Sequence, residues 1–170
     1  MEQWVRMLVF LILMPMVTLT EESSLPLCYW KNKGFTENGF QKVACAKCYA
    51  YMHTSNFVPG RKARLVEATL LNVGNITVEA NFTLPHRQLI QTFSSESAVD
   101  KWTECCIKAA QCCTDMTNNV NIANGSDWCP WTWDGWLCWP QTPPGSTAQR
   151  PCPSFIRFGT TEHNCDCKVH

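Results

Sequence analysis

Residues 129–153, CPWTWDGWLCWPQTPPGSTAQRPCP, decide the fold of this chain. The stretch holds three cysteines and four tryptophans within 25 residues. An Asp134-Gly135 pair stands between aromatic residues, and Asp-Gly flanked by strand-forming residues is a strong hairpin signal. We therefore predict a disulfide-tied β-hairpin that turns at Asp134-Gly135.

The composition points to an oxidising compartment. The chain has 170 residues, of which 12 are cysteines, and it carries 14 basic and 14 acidic side chains. This density of cysteines is typical of secreted disulfide scaffolds. The balanced charge gives no reason to expect a nucleic-acid partner.

Residues 1–20 are predicted to be a signal peptide. The apolar run 7–17 follows Arg6 and is too short to span a bilayer comfortably. An uncleaved signal anchor is the alternative, and both the shortness of the run and Pro15 argue against it. No other apolar run approaches the ~20 residues of a membrane helix, so we expect no seven-helix bundle in this sequence.

Residues 21–97 form an N-terminal extension in which the sequence predicts one β-hairpin. A first strand covers 64–71, Asn72-Val73-Gly74 form the turn, and the second strand covers 75–84, where apolar and polar residues alternate. The apolar face of that strand holds Ile76, Val78, Ala80, Phe82 and Leu84.

Three Asn-x-Ser/Thr sequons follow the predicted signal peptide and are therefore candidate glycosylation sites. Asn75 and Asn81 fall on the polar face of the second predicted strand, so both are expected to face solvent. The third sequon begins at Asn124.

Cys45 and Cys48 have the spacing of half a zinc site or of a thioredoxin-type redox pair. No second Cys-x2-Cys and no βαβ pattern accompany them, so structural disulfides are the favoured interpretation. The four histidines are far apart in sequence and belong to no ligand or nucleophile motif. We therefore expect no catalytic residues, no metal and no cofactor.

A helix is predicted to begin at a capping box, Ser97-x-x-Asp100, and to run to about Met116. Five residues recur at helical spacing and form one stripe, and a pair of cysteines lies on the adjacent stripe. Cysteines seven apart on a helix lie about 10 Å apart, beyond the ~7 Å between Cα atoms that a disulfide tolerates. The helix cysteines must therefore pair with cysteines outside the helix. The stripe holds Trp102, Cys106, Ala109, Cys113 and Met116, and its neighbour holds Cys105 and Cys112.

The arrangement Cys129-x8-Cys138-Trp139, followed by Cys152-Pro153, resembles the extracellular hormone-receptor domain of the family B, or secretin-type, G-protein-coupled receptors. The segment TWDGWLCW is most similar to the sequences of the calcitonin-receptor-like branch. The resemblance implies that residues 98–170 are this domain. It also implies a small disulfide-rich α+β fold, with an N-terminal helix packed on short antiparallel β-hairpins.

The resemblance also implies disulfides. It pairs Cys138 with Cys113 or, alternatively, with Cys112, and it pairs Cys129 with Cys165 or Cys167. The remaining helix cysteines are then expected to take Cys28, Cys45 and Cys48 as partners. Cys152 is left for whichever of Cys165 and Cys167 is free.

Residue roles carried over from the family fall into two groups. The structural core is expected to contain Asp134, Trp139 and Pro153. Ligand contacts are expected from Gly135, Trp136, Ile156 and Phe158, and the predicted helix would form one wall of the ligand groove. For Trp136 the alternative is that it only packs inside the domain.

The resemblance fails at the end of the sequence, which stops at Cys165-Asp-Cys167-Lys-Val-His170. We expect the domain to be incomplete at its C-terminus, to lack the last strand of its second small sheet, and to use Cys167 in place of the sixth cysteine. The sequence would then be a fragment or isoform of a receptor, or a rebuilt secreted relative.

The function that the resemblance implies is extracellular binding of a peptide hormone or neuropeptide. The chain would act as the ectodomain portion of a receptor or as a soluble decoy, either secreted or on the extracellular face of the plasma membrane. A G protein is a partner only if a longer receptor form exists. The alternative is a secreted cysteine-rich structural or effector protein that keeps the scaffold without hormone binding.

Overall fold

The computed structural model describes residues 27–30, 33–119 and 128–151, together with the backbone of 166–169. It confirms a small disulfide-rich α+β fold. None of the described helices combines the length and the apolar character that a bilayer crossing requires. The elements in chain order are β1 (Cys28–Trp30), β2 (Lys33–Phe35), α1 (Glu37–Tyr51), a 3-10 turn (Thr54–Asn56), β3 (Arg64–Leu65), β4 (Leu70–Val73), β5 (Ile76–Glu79), α2 (Arg87–Ile90), α3 (Glu96–Asn118), β6 (Thr132–Trp133), β7 (Cys138–Trp139), β8 (Ala148–Pro151) and β9 (Asp166–Val169).

Helix α1 is the central element of the fold, and the sequence did not predict it. Thr36 caps its start by accepting a hydrogen bond from the Gly39 amide at 3.3 Å. A helix surrounded by the protein has no single apolar stripe to reveal it, and α1 is of this kind. Its buried residues are Phe40, Val43, Ala44, Cys45, Ala46, Cys48 and Tyr49, which together point in most directions around the axis.

Helix α3 starts two residues earlier than the predicted capping box. Ser95 is the cap, and its hydroxyl accepts a hydrogen bond from the Ala98 amide at 3.2 Å. Ser97, the predicted cap, already lies inside the first turn. The predicted stripe is buried as expected, from Trp102 to Met116.

Helices α1 and α3 pack against each other in opposite directions. Cys45 bonds to Cys106 and Cys48 bonds to Cys105, so the extension and the receptor-like region share one core. The Trp102 indole N–H donates to the Cys45 carbonyl at 3.0 Å. Around this contact lies a cluster of rings formed by Tyr49, Phe57, Phe93 and Trp102.

The predicted hairpin of the extension is present as part of a three-stranded antiparallel meander, β3-β4-β5. Val73 pairs with Ile76, so the turn is Gly74-Asn75, with Gly74 at φ +62°, rather than residues 72–74. The strand β5 ends at Glu79 because the chain then turns around the Asn81 side chain, and Leu84 is 81% exposed rather than on the buried face.

The other sheets are two-stranded antiparallel pairs, β1-β2, β6-β7 and β8-β9. The expectation that the last strand is missing is wrong. The backbone of Asp166–Val169 pairs along its whole length with Ala148–Pro151. An edge pair of this kind needs only an extended segment with free backbone groups, and the short segment after Cys165 is long enough to supply one.

Candidate functional site

The hairpin β6-β7 carries the residues that the sequence singled out. Thr132 pairs with Trp139 and Trp133 pairs with Cys138, which leaves the four-residue loop 134–137 at the turn. Trp133 and Trp139 are both buried. The hairpin therefore anchors itself in the core by its tryptophans and presents its turn at the surface.

Asp134 holds that turn in one conformation. One carboxylate oxygen accepts the amides of Trp136 at 2.7 Å and Leu137 at 2.8 Å. The other accepts the Trp139 indole N–H at 2.7 Å. Hydrogen bonds to a carboxylate are about twice as strong as bonds between neutral groups. The carboxylate thus fixes both the loop and the buried tryptophan, although Asp134 itself is exposed.

A disulfide ties the hairpin to α3. Cys138 bonds to Cys112, and Cys113, the other candidate, bonds to Cys28 in β1. Successive helix residues point about 100° apart, so Cys112 faces the hairpin while Cys113 faces β1. A cross-link that closes a loop of this size, with a sequence separation of 26, is worth roughly 2–4 kcal/mol in the chain-entropy account.

The remaining predicted residues stand as follows. Cys129 is exposed and bonds to none of the described cysteines, while its backbone bridges to Thr142. The backbone of Cys167 pairs with Arg150, and its side chain is outside the description. The pairings of Cys129 with Cys165 or Cys167 therefore stay predictions. Outside the described residues lie Cys152, Pro153, Ile156, Phe158, Cys165 and Asn124.

Gly135, a predicted ligand contact, is buried beneath the last residue of α1. Its φ of +111° is one that L side chains rarely adopt. A Cβ atom at Gly135 would lie 2.7 Å from Cε2 of Tyr51. Contact between Gly135 and a ligand would require Tyr51 to move.

Trp136, by contrast, is half-buried and keeps part of its ring at the surface. Its ring lies 5.7 Å from that of Tyr51 between centroids, with an angle of 32° between the planes. Tyr51 itself is 39% exposed. The two rings form a surface that we call the aromatic pair.

Sequence reasoning missed Tyr51 because α1 was not predicted. The signal available was its spacing, since Tyr51 follows Cys48 by three residues and side chains three apart share a helix face. Cys48 bonds to Cys105, whose sulfur lies 3.8 Å from the Gly135 carbonyl oxygen. A known Cys48–Cys105 bond would thus have directed Tyr51 to the turn.

Lys62 fixes the end of α1 at this place. Its ammonium group donates to the carbonyls of Ala50 at 2.8 Å and Met52 at 2.7 Å. It also lies 5.1 Å from the ring centroid of Phe57. Burial lowers the pKa of Lys62. The lysine satisfies helix-terminal carbonyls on either side of Tyr51 and so helps to hold that residue in position.

The described residues bring no three His, Cys, Asp or Glu side chains into an arrangement that could hold a metal ion. At the turn, the exposed Asp134 carboxylate is engaged by three N–H donors and the Trp136 ring is half-buried.

The family model for the hormone receptor domain matches residues 126–168. The growth hormone-releasing hormone receptor of Mus musculus is 38% identical over 79 residues, 46% of this chain and 16% of the receptor. The calcitonin receptor of Mus musculus is 50% identical over 52 residues, 29% of this chain and 10% of the receptor. The PDF receptor of Drosophila melanogaster is 42% identical over 41 residues, 24% of this chain and 6% of the receptor.

The chain thus spans at most about a sixth of the length of these receptors, 16% in the mouse growth hormone-releasing hormone receptor. No solved structure matches the chain significantly. The matched residues contain the hairpin β6-β7, with Asp134 and Trp139 in the positions described above. Residues 126–168 of this chain are therefore similar to the extracellular hormone-receptor domain of the family B G-protein-coupled receptors.

Proposed function

We propose that this chain is an extracellular binding module for a peptide hormone or neuropeptide, with Trp136 at its contact surface. The observation that carries the proposal is the turn 134–137. It lies within the matched hormone receptor domain, is fixed by the Asp134 carboxylate, and leaves an aromatic side chain partly exposed.

The rigidity of this turn supports binding. The Trp136 backbone amide donates to the Asp134 carboxylate. The hairpin that carries Trp136 is bonded to α3 through Cys138. A preorganised aromatic anchor loses little conformational entropy when a ligand docks. Aromatic residues of this kind are enriched among the residues that dominate binding energies.

An extracellular setting is supported by the cysteines. Within the described residues, eight of the cysteines are joined in four disulfides. Such bonds persist in oxidising compartments and are rare in the cytosol. The chain would serve as the ectodomain of a longer receptor, with a G protein as the further partner, or as a soluble decoy.

A second candidate function has one observation in its favour. Tyr51 covers Gly135, one of the positions expected to contact ligand. A secreted structural or effector protein that keeps the scaffold without hormone binding would tolerate such a cover.

Peptide titration distinguishes the two functions. The full chain would be produced in a secretory host, its disulfides mapped by mass spectrometry, and the protein titrated with growth hormone-releasing hormone, calcitonin and the PDF peptide. Hormone binding predicts saturable binding of at least one peptide and a loss of about tenfold or more in affinity for Trp136→Ala, the size of an aromatic hot spot.

Ile107→Ala is the matched control, because Ile107 is a 51% exposed apolar residue on the α3 face opposite Cys105. Ile156→Ala and Phe158→Ala test the two further predicted contacts. A folded protein with the Cys112–Cys138 bond and no affinity for any of the three peptides contradicts hormone binding and favours the structural or effector role.

A further inference from the structure

We propose that Tyr51, from the N-terminal extension, is a ligand-contacting residue that determines specificity, and that the aromatic pair receives an apolar or aromatic side chain of the peptide. This inference rests on the proposed function. It assigns part of the binding surface to α1, which lies outside the matched hormone receptor domain.

The rings of Tyr51 and Trp136 lie side by side at the surface. Tyr51 is 39% exposed although it packs on Trp136 at a centroid distance of 5.7 Å. Because the two rings are neighbours, a ligand side chain that docks on Trp136 can contact Tyr51 as well. Two adjacent aromatic faces give a docking side chain more apolar contact than one.

Tyr51 also covers Gly135. Because Tyr51 stands where a Cβ of Gly135 would be, a ligand meets the tyrosine ring before it meets the backbone of the turn. The contact expected at Gly135 is thus taken over by a side chain from α1. We therefore expect Tyr51 to affect which peptides bind at the turn.

The position of Tyr51 is fixed from two sides, which suits a specificity role. One turn earlier, Cys48 bonds α1 to α3, and Lys62 donates to the carbonyls on either side of Tyr51. The ring is further restrained by its contacts with Gly135 and Trp136, so it gives up little freedom on binding.

The chemistry of the surface decides the class of ligand group. Asp134, the acidic residue at the turn, already accepts three N–H donors at 2.7–2.8 Å. Asp134 is exposed, but its carboxylate is already engaged by the turn, so the rings of the aromatic pair are the neighbouring surface that has apolar area to offer a ligand. An apolar or aromatic peptide side chain matches that surface.

Footprinting tests the contact directly, because the chain has three tyrosines and each has a different environment. Tyr49 is fully buried, whereas Tyr29 in β1 is 42% exposed and Tyr51 is 39% exposed. The full chain would be nitrated with tetranitromethane, with and without the peptide of highest affinity from the titration, and the modified residues quantified by mass spectrometry. We expect Tyr29 and Tyr51 to react in the free protein, and peptide to protect Tyr51 alone.

Affinity provides the second measurement. Tyr51→Ala is expected to weaken peptide binding about tenfold, and Tyr51→Phe, which keeps the ring, to change it less than about threefold. Tyr29→Ala is the control for loss of an equally exposed tyrosine. Thermal melting and disulfide mapping show that each variant keeps the fold.

The outcomes separate the two proposals. If the unmodified chain binds none of the peptides, the proposed function fails and this inference fails with it. If the chain binds a peptide while Tyr51 stays reactive in the complex and Tyr51→Ala binds normally, the proposed function stands and the role of Tyr51 is refuted.

Discussion

The Cε2 atom of Tyr51 lies 2.7 Å from the point where a Cβ atom of Gly135 would stand. The two residues are 84 positions apart in sequence, and the contact joins the extension to the turn of the hormone receptor domain. Glycine is required at position 135 for two reasons. L side chains rarely adopt its φ of +111°, and a Cβ atom would collide with the Tyr51 ring.

Gly135→Ala is therefore expected to destabilise the protein by about 3 kcal/mol or more, the sum of backbone strain and overpacking. Gly145→Ala is the matched control. Gly145 also has a positive φ, +74°, but has open space around it, so only strain of about 1 kcal/mol applies. Urea denaturation of both variants measures the difference, and equal midpoints would show that Tyr51 does not press on the turn.

Asp134→Ala is expected to lower the free energy of unfolding by about 2 kcal/mol, because two backbone amides and one indole N–H lose their acceptor. Asp134→Asn keeps one oxygen and should fall between the alanine variant and the parent. Tryptophan fluorescence during urea unfolding measures these changes.

Asp115→Ala serves as the control for the Asp134 variants. Asp115 accepts one exposed hydrogen bond, from the Gln111 side chain at 3.0 Å, and its loss should cost less than about 0.5 kcal/mol. If Asp134→Ala is no more harmful than Asp115→Ala, the carboxylate does not hold the turn.

Tyr49 predicts how stability changes at alkaline pH. Burial raises the pKa of Tyr49, against the opposing effect of its hydrogen bonds with Thr92 and the Ala63 amide. The unfolded chain therefore loses this proton first, near pH ~10. Above that pH the folded state binds more protons than the unfolded state, so stability falls as pH rises through the folded pKa.

Ionisation of Lys62 changes stability with pH in the opposite direction. Burial lowers the pKa of Lys62, so stability increases as pH rises from the folded pKa towards the unfolded value of ~10.4. Urea midpoints from pH 7 to 11 would show both trends. Tyr49→Phe should lose about 1–2 kcal/mol at neutral pH, because Ala63 N–H loses its acceptor, and should also lose the decline above pH ~10. A decline that persists in Tyr49→Phe would assign it to another group.

Glycosylation at Asn75 and Asn81 remains a prediction from the sequence, and the structure gives the two sites different roles. Asn75 is exposed in the turn between β4 and β5. Asn81 is half-buried, and its Oδ1 accepts from the Thr83 amide at 3.0 Å, the Thr83 hydroxyl at 2.7 Å and the Leu84 amide at 3.3 Å.

We expect Asn75→Gln to remove one N-glycan and leave the thermal midpoint almost unchanged. Asn81→Gln should remove one glycan and also lower stability, because the longer side chain moves the oxygen that holds the turn. Electrophoresis and mass spectrometry with and without N-glycosidase report the glycans, and Thr77→Ala is a control that removes the first sequon without changing Asn75. Equal effects of the two asparagine variants on thermal stability would contradict the role given to the Asn81 side chain.

The parts of the fold that local pattern controls were predictable. The Asp134-Gly135 pair marked the hairpin, although the loop spans four residues rather than two because Trp133 pairs with Cys138. The stripe from Trp102 to Met116 marked α3 because one of its faces meets the core and the other meets solvent.

What was missed depends on contacts that are distant in sequence. Helix α1 is enclosed by α3, β1 and the meander, so apolar residues occur around its axis and no periodic signal remains. The choice of Cys112 over Cys113 for Cys138 depends on how α3 is rotated against its neighbours. The cover of Gly135 by Tyr51 follows only once both the helix and its rotation are known.

The disulfides between α1 and α3 also set an order of events during synthesis. Cys45 and Cys48 precede their partners by 61 and 57 residues, and Cys28 precedes Cys113 by 85. At typical translation rates the early thiols wait on the order of ten seconds, and meanwhile the nearest partner of Cys45 is Cys48. We expect nascent chains to pass through this premature bridge, which a disulfide isomerase must open before α1 can bond to α3.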